Sequence, residues 1–191
     1  MIVKTNENIQ NNLYLETLIG NSYIEGKAES KVVQSTRNSD RNLLVSSGNN
    51  VSENYLKFRE DNNRNVLQKY SSNIDITIPN TTVIDLLYIK NLLGLHTIDL
   101  NTFQWRMFKF HAGIDDITIR VGNVLSGNKI EIQGTAANVD FDIPKDVGVI
   151  MYYKHIIGKI NLPQFDELSG HYFQSTNISN AKAILHIYVD L

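Results

Sequence analysis

The chain has 191 residues, 42% of them apolar and 9% aromatic, enough for one large domain with a packed core. A net charge of −2 excludes a dedicated basic surface for nucleic acid, and the lack of cysteine excludes disulfides, thiolate chemistry and cysteine-ligated zinc. The longest apolar stretch, Leu86 to Leu95, is broken by Lys90 and Asn91 and is too short to span a bilayer, and no basic and then apolar leader opens the chain.

In chain order, residues 1–10 read as a polar lead. Leu13-Tyr14-Leu15 and Leu18-Ile19 read as the first strand material, followed by Gly20 to Gly26. From Glu29 to Asn54 the composition shifts to Ser, Asn, Arg, Lys and Gly, which predicts a long mobile excursion or a poorly covered edge hairpin. Tyr55 to Arg59 alternates as a strand does, and Glu60 to Asn65 reads as an exposed turn. The asparagine clusters Asn11-Asn12, Asn49-Asn50 and Asn62-Asn63 are read as coding bias and turn usage, with ladders inside a solenoid corner as the sharper alternative.

From Asn73 onward the pattern repeats. Ile74, Ile76 and Ile78 share one face before Pro79, and Val139, Phe141 and Ile143 share one before Pro144. Gly94-Leu95-His96-Thr97-Ile98-Asp99-Leu100 is answered by Gly113-Ile114-Asp115-Asp116-Ile117-Thr118-Ile119, and in a longer copy by Gly134 to Phe141. Lys90 to Gly94 is echoed by Lys154 to Gly158. Strand starts at Ile74, Ile98, Ile117, Val139 and Ile160 are spaced by 24, 19, 22 and 21 residues.

Such spacing predicts an all-β, β-solenoid-like fold, a single-stranded coil of stacked rungs with glycines at its corners. An antiparallel β-sandwich is the alternative. Residues 1–191 are expected to form a single β domain. Within it, 1–72 is the less regular part, with its mobile polar segment at about 29–54, and 73–191 holds the regular rungs.

Phe103, Trp105 and Met107 share one parity and Phe108 and Phe110 the other, so a bulge or corner is expected near Met107. These aromatics read as core, with sugar or peptidoglycan stacking on Trp105 as the weaker alternative. Leu185, Ile187 and Val189 share one side of a closing strand, after which one further strand is expected beyond Leu191.

No reaction chemistry is legible. His96, His111, His155, His171 and His186 share no ligand spacing, so no metal site is expected. Asp115, Asp116, Asp140 and Asp142 are the obvious carboxylates and read as turn or solvated-face residues; paired glycosidase work would need two of them about 5 to 9.5 Å apart. Phosphate-binding and nucleophile-elbow motifs are absent. No catalytic, cofactor-binding or metal residue is therefore assigned.

Several blocks carry a family likeness. They are Ile98-Asp99-Leu100, Phe110-His111-Ala112-Gly113 with Ile117-Thr118-Ile119, Gly122-Asn123, Val139 to Val149, and Tyr172-Phe173-Gln174-Ser175 with Asn177 to Ala181. Through them the segment from Ile74 to Val189 resembles the C-terminal domain of LiaF-like, cell-wall-active antibiotic response proteins, within the toastrack putative-adhesin family. The resemblance implies a non-enzymatic sensing, interaction or scaffold domain at the bacterial cell envelope, membrane-associated in the intact protein. It implies membrane-associated signalling proteins as partners, with self-association through sheet edges as another route, and it carries no catalytic residues to transfer. The family's membrane helices and its glycine-bearing last strand have no counterpart in this chain. A polysaccharide-acting enzyme and a self-assembling β scaffold or adhesin are the alternative readings.

Overall fold

The computed structural model describes residues 10–28, 32–37, 43–49, 53–60, 72–125, 127–154, 158–161 and 165–191. Among the described residues fifteen strands follow one another: β1 (Gln10–Glu16), β2 (Gly20–Lys27), β3 (Val33–Arg37), β4 (Leu43–Asn49), β5 (Glu53–Glu60), β6 (Ser72–Pro79), β7 (Val83–Lys90) and β8 (Leu93–Asp99). Then come β9 (Gln104–Arg120), β10 (Lys129–Asp142), β11 (Val147–Lys154), β12 (Gly158–Asn161), β13 (Phe165–Ser169), β14 (Tyr172–Ser175) and β15 (Ala183–Asp190). The fold is all-β, as expected, and its central pairings are parallel, which is the mark of a coil and not of an antiparallel sandwich.

The chain winds between two layers. The front layer runs β4-β5-β1-β7-β9-β10-β15-β11-β14-β13, and the back layer runs β3-β6-β2-β8-β9-β10-β12. Strands β9 and β10 belong to both, because each passes through the corner without a break. Alternation places one side chain in two between the layers. On the back layer Ile76, Ile24, Ile98, Ile119 and Phe141 stack in register on successive strands. On the front layer Leu15, Ile89, Phe110, Ile132 and Val189 do the same. All ten are buried in one core, each contributing about 1.5–3 kcal/mol by leaving water.

Spatial order departs from chain order at both ends. Strands β1 and β2 lie between β5/β6 and β7/β8, so Ile74 and Ile98 are separated by β2 and are not direct neighbours. Strand β15 lies between β10 and β11, paired on both sides, and Leu191 is buried. On the back layer β12 pairs with β10 and ends that side.

The described parts of the polar excursion are edge strands. Residues 33–37 and 43–49 are strands that pair antiparallel with β6 and β5, while 29–31, 38–42 and 50–52 lie outside the described residues. The turn expected over Glu60 to Asn65 falls outside them after Glu60. Asparagine side chains pair across neighbouring strands, Asn54 donating to Asn11 at 3.2 Å and Asn21 to Asn73 at 2.9 Å.

The phase change near Met107 is present: Trp105 is buried, and burial resumes at Phe108 and Phe110. Strand β7 shifts phase beside it, from Ile84 to Leu87, so the two strands stay matched. Trp105 is fully buried and its indole donates to the Gly122 carbonyl, which places it in the core and away from any sugar.

Candidate functional site

The corner that β9 and β10 turn through, with residues 17–19 and 91–92 on adjoining rungs, holds the densest chemistry. Its glycines are required by close approach. A Cβ on Gly94 would fall onto the Gly20 carbonyl oxygen, one on Gly113 onto that of Leu92, and one on Gly134 onto that of Ala112. The corner registers Gly94 against Asp115, not Gly113, so Ile98 pairs with Ile119 and His96 takes the place beside Ile117. That two-residue offset keeps the inward parity and puts an imidazole into an isoleucine row.

His96 is the centre of a buried polar chain. Its Nε2 lies 3.3 Å from Asp115 Oδ1 and its Nδ1 lies 2.7 Å from Ser22 Oγ. Asn91 donates to Asp115 Oδ1 at 2.7 Å, the Gly113 amide to Asp115 Oδ2 at 2.8 Å, and Thr17 Oγ1 to Asn91 Oδ1 at 2.6 Å. Every one of these residues is buried, and the Phe110 ring meets the imidazole edge-on at 5.0 Å. A buried carboxylate persists when donors surround it, and Asp115 has three.

Ser, His and Asp in one hydrogen-bonded line have the composition of an acyl-transfer relay. The arrangement serves a different end. Ser22 bonds Nδ1 from within the core and is only 5% exposed, so a substrate carbonyl has no route to its hydroxyl. The chain instead ties β1/β2, β7/β8 and β9 together.

The expectation that Asp115 sits on a solvated face is thus corrected. Asp116, Asp140 and Asp142 are exposed on the back layer and do not converge with it. His111, His171 and His186 are exposed on the front, apart from His96, and His155 lies outside the described residues. Among the described residues no group of three or more His, Cys, Asp or Glu could hold a metal ion. Sequence reasoning missed the cluster because Ser22 and Asp115 stand far from His96 along the chain; the break in the isoleucine row at His96 was its one visible signal.

Outside this chain the corner is apolar. Leu92, Leu93, Leu95 and Ile114 are 54%, 46%, 57% and 63% exposed, an unusual concentration of large apolar side chains in water. Leu93, Ile114 and Ala136 stack in register, and a shallow groove of about 510 Å³ runs between this ridge and Asp116 and Asn138.

A second surface crosses the outer face of the front layer. Lys57, Tyr14, Tyr88, Lys109 and Glu131 stand in one registered row, continued by Tyr188, Tyr152 and Tyr172. Tyr152 stacks on Tyr188 at 4.9 Å and 14°, and meets Tyr172 edge-on at 4.9 Å. Burial works to raise the Glu131 pKa, but hydrogen bonds from Lys109 and Lys129 outweigh it and hold the carboxyl below its ordinary range. Burial, with the Glu16 charge second, pushes the Tyr88 phenol up.

No family model and no curated protein matches this sequence. Among solved structures it is similar to a "putative cell adhesion protein" from Clostridium sporogenes ATCC 15579, at TM-score 0.79 and 14% identity, over 100% of this chain and 92% of that one. A "putative adhesin" from Bacteroides fragilis NCTC 9343 aligns over 95% of this chain and 94% of that one at 14% identity, but its TM-score of 0.35 carries no argument. At such identity the likeness to the clostridial protein is one of fold, and this chain shares that fold over its whole length.

Proposed function

We propose that residues 1–191 act as one non-enzymatic interaction domain of the bacterial cell envelope, LiaF-like in its role, docking a membrane-associated signalling protein during envelope stress. The observation that carries this reading is the exposed ridge of Leu92, Leu93, Leu95 and Ile114, a patch of the kind that marks protein contact sites. Its seat over the buried Asp115–His96 chain supports the reading, since a rigid platform loses little entropy on binding. The fold shared with a protein described as a putative cell adhesion protein is in keeping with it. No helix among the described residues is long and apolar enough to cross a membrane.

The test is capture from a solubilised native membrane fraction with the wild-type chain and with Leu95→Glu plus Ile114→Glu. A membrane protein retained by the former and lost from the latter supports the reading. A monomer that captures no membrane protein overturns it. Self-association is the second reading, favoured by the outermost strands β3, β4, β12 and β13, each of which pairs on one side only among the described residues. Concentration-dependent filaments in electron microscopy would support that reading instead.

A further inference from the structure

The coil ends in outer strands at both extremities, and these strands are not alike. Strand β13 carries Asp166 and Glu167, and its register with β14 shifts between Glu167 and Ser169. Strand β12 has four residues, one of them Lys159, and β3 has five and ends on Arg37. Short length, charge and an irregular register are the devices that keep an open edge from recruiting another strand. Strand β4 has none of them. Its sequence, Leu43-Leu44-Val45-Ser46-Ser47-Gly48-Asn49, holds no charge and no proline, and all seven residues pair with β5 in unbroken register.

Alternate residues of an antiparallel edge turn their N–H and C=O groups away from the neighbouring strand. Among the described residues no strand pairs with β4 on that side. The edge is therefore open, and Ser46 and Ser47 are exposed on it.

The absence of charge also selects the partner. An edge suited to a different chain gains from a charge opposite to that chain's. An edge that pairs with its own copy cannot, because a charge at the centre meets itself, with Cβ atoms about 4.5–5.5 Å apart. Antiparallel pairing about a two-fold axis through Ser46 sets Leu43 against Asn49, Leu44 against Gly48 and Val45 against Ser47. Each large residue meets a small or polar one. Parity is kept as well: Ser46, in register with Lys57 of the outer row, meets Ser46, so the two front layers continue as one sheet with their cores on the same side.

We infer that two copies of this chain join through β4, antiparallel about a two-fold axis at Ser46. This rests on the self-association reading and closes it at two copies. A self-complementary edge is used up by one partner, so it yields a dimer and not a filament. The dimer presents the apolar ridge twice.

The test is sedimentation equilibrium of the full chain over a range of concentrations, for wild type, Ser46→Lys, Ser46→Asp and an equimolar mixture of the two variants. A monomer–dimer equilibrium is expected for wild type. Each variant alone should dimerise about fivefold more weakly, because like charges meet at the axis, and mixing should restore the dimer. Recovery on mixing is a result that misfolded variants would not give. Leu168→Lys on β13 and Leu95→Glu on the ridge should leave the dimer unchanged. A monomer at every concentration, a dimer indifferent to both Ser46 variants, or no recovery on mixing overturns the inference. Growth beyond two copies also overturns it, while supporting assembly through other edges. None of these outcomes bears on capture of a membrane protein, which Leu95→Glu plus Ile114→Glu tests separately.

Discussion

At the glycine corner β9 and β10 pass from front to back without a break, and β1/β2 and β7/β8 with breaks of three and two residues, whereas at the opposite corner the chain leaves the sheet in a turn. Residues 80–82, 100–103, 121–125 with 127–128, and 143–146 belong to those turns. They are closed by local bonds such as Thr82 N to the Pro79 carbonyl at 3.0 Å and Val147 N to the Pro144 carbonyl at 3.0 Å. Asn123 and Gly127 take up left-handed φ values of 50° and 97° there. A turn satisfies its own polar groups and can change length. A strand bent through a corner cannot, so its neighbours must supply the bonds, and the buried chain from Thr17 to Ser22 does so. Rigidity and an exposed ridge therefore come together at one corner, and tolerance of change belongs to the other.

The sharpest way to break this contrast is Asp115→Ala. It leaves donors from Asn91, Gly113 and His96 facing an empty site, and a loss of about 3–5 kcal/mol is expected in chemical denaturation. Gly113→Ala should cost about 1–3 kcal/mol, because the new Cβ must push the Leu92 carbonyl aside. Inserting two residues into the turn at 80–82 tests the other corner and should cost no more than about 0.6 kcal/mol. If the insertion proves as damaging as Gly113→Ala, the contrast between corners fails.

Acid titration sharpens it from the front face. The folded Glu131 pKa is lowered from its ordinary value of 4.5, so its contribution is present above that value and is lost as pH falls through the folded one. Unfolding midpoints of Glu131→Gln should show a shallower decline over that acid window than wild type. Smallest in stability is Leu95→Glu, expected to stay within about 0.5 kcal/mol while abolishing partner capture. A large stability change there would mean that the ridge is part of the core.

Much of the coil was legible because periodicity reports parity. Ile74-x-Ile76-x-Ile78 and Val139-x-Phe141 declare an inward face whatever lies beside them, and the glycines at 94, 113 and 134 declare the corner. Register was not legible. Aligning Gly94 with Gly113 is natural by eye, yet a shift of two residues preserves every inward side chain, so only the packing of one rung on the next selects it. The buried chain was hidden for the same reason, since Ser22 meets His96 only once β2 lies against β8. The tyrosine row was hidden too, since its members share no spacing in the chain.

By itself the sequence determined the all-β class, the inward parity of its regularly alternating strands and the corner positions, because these depend on side-chain pattern and on the space a Cβ needs. Only the tertiary structure decided that β1/β2 and β15 are inserted between other rungs. It alone put Asp115 into the core beside His96 and brought five tyrosines into line. Those outcomes depend on which strand hydrogen-bonds to which, and a backbone ladder looks much the same whatever side chains it carries.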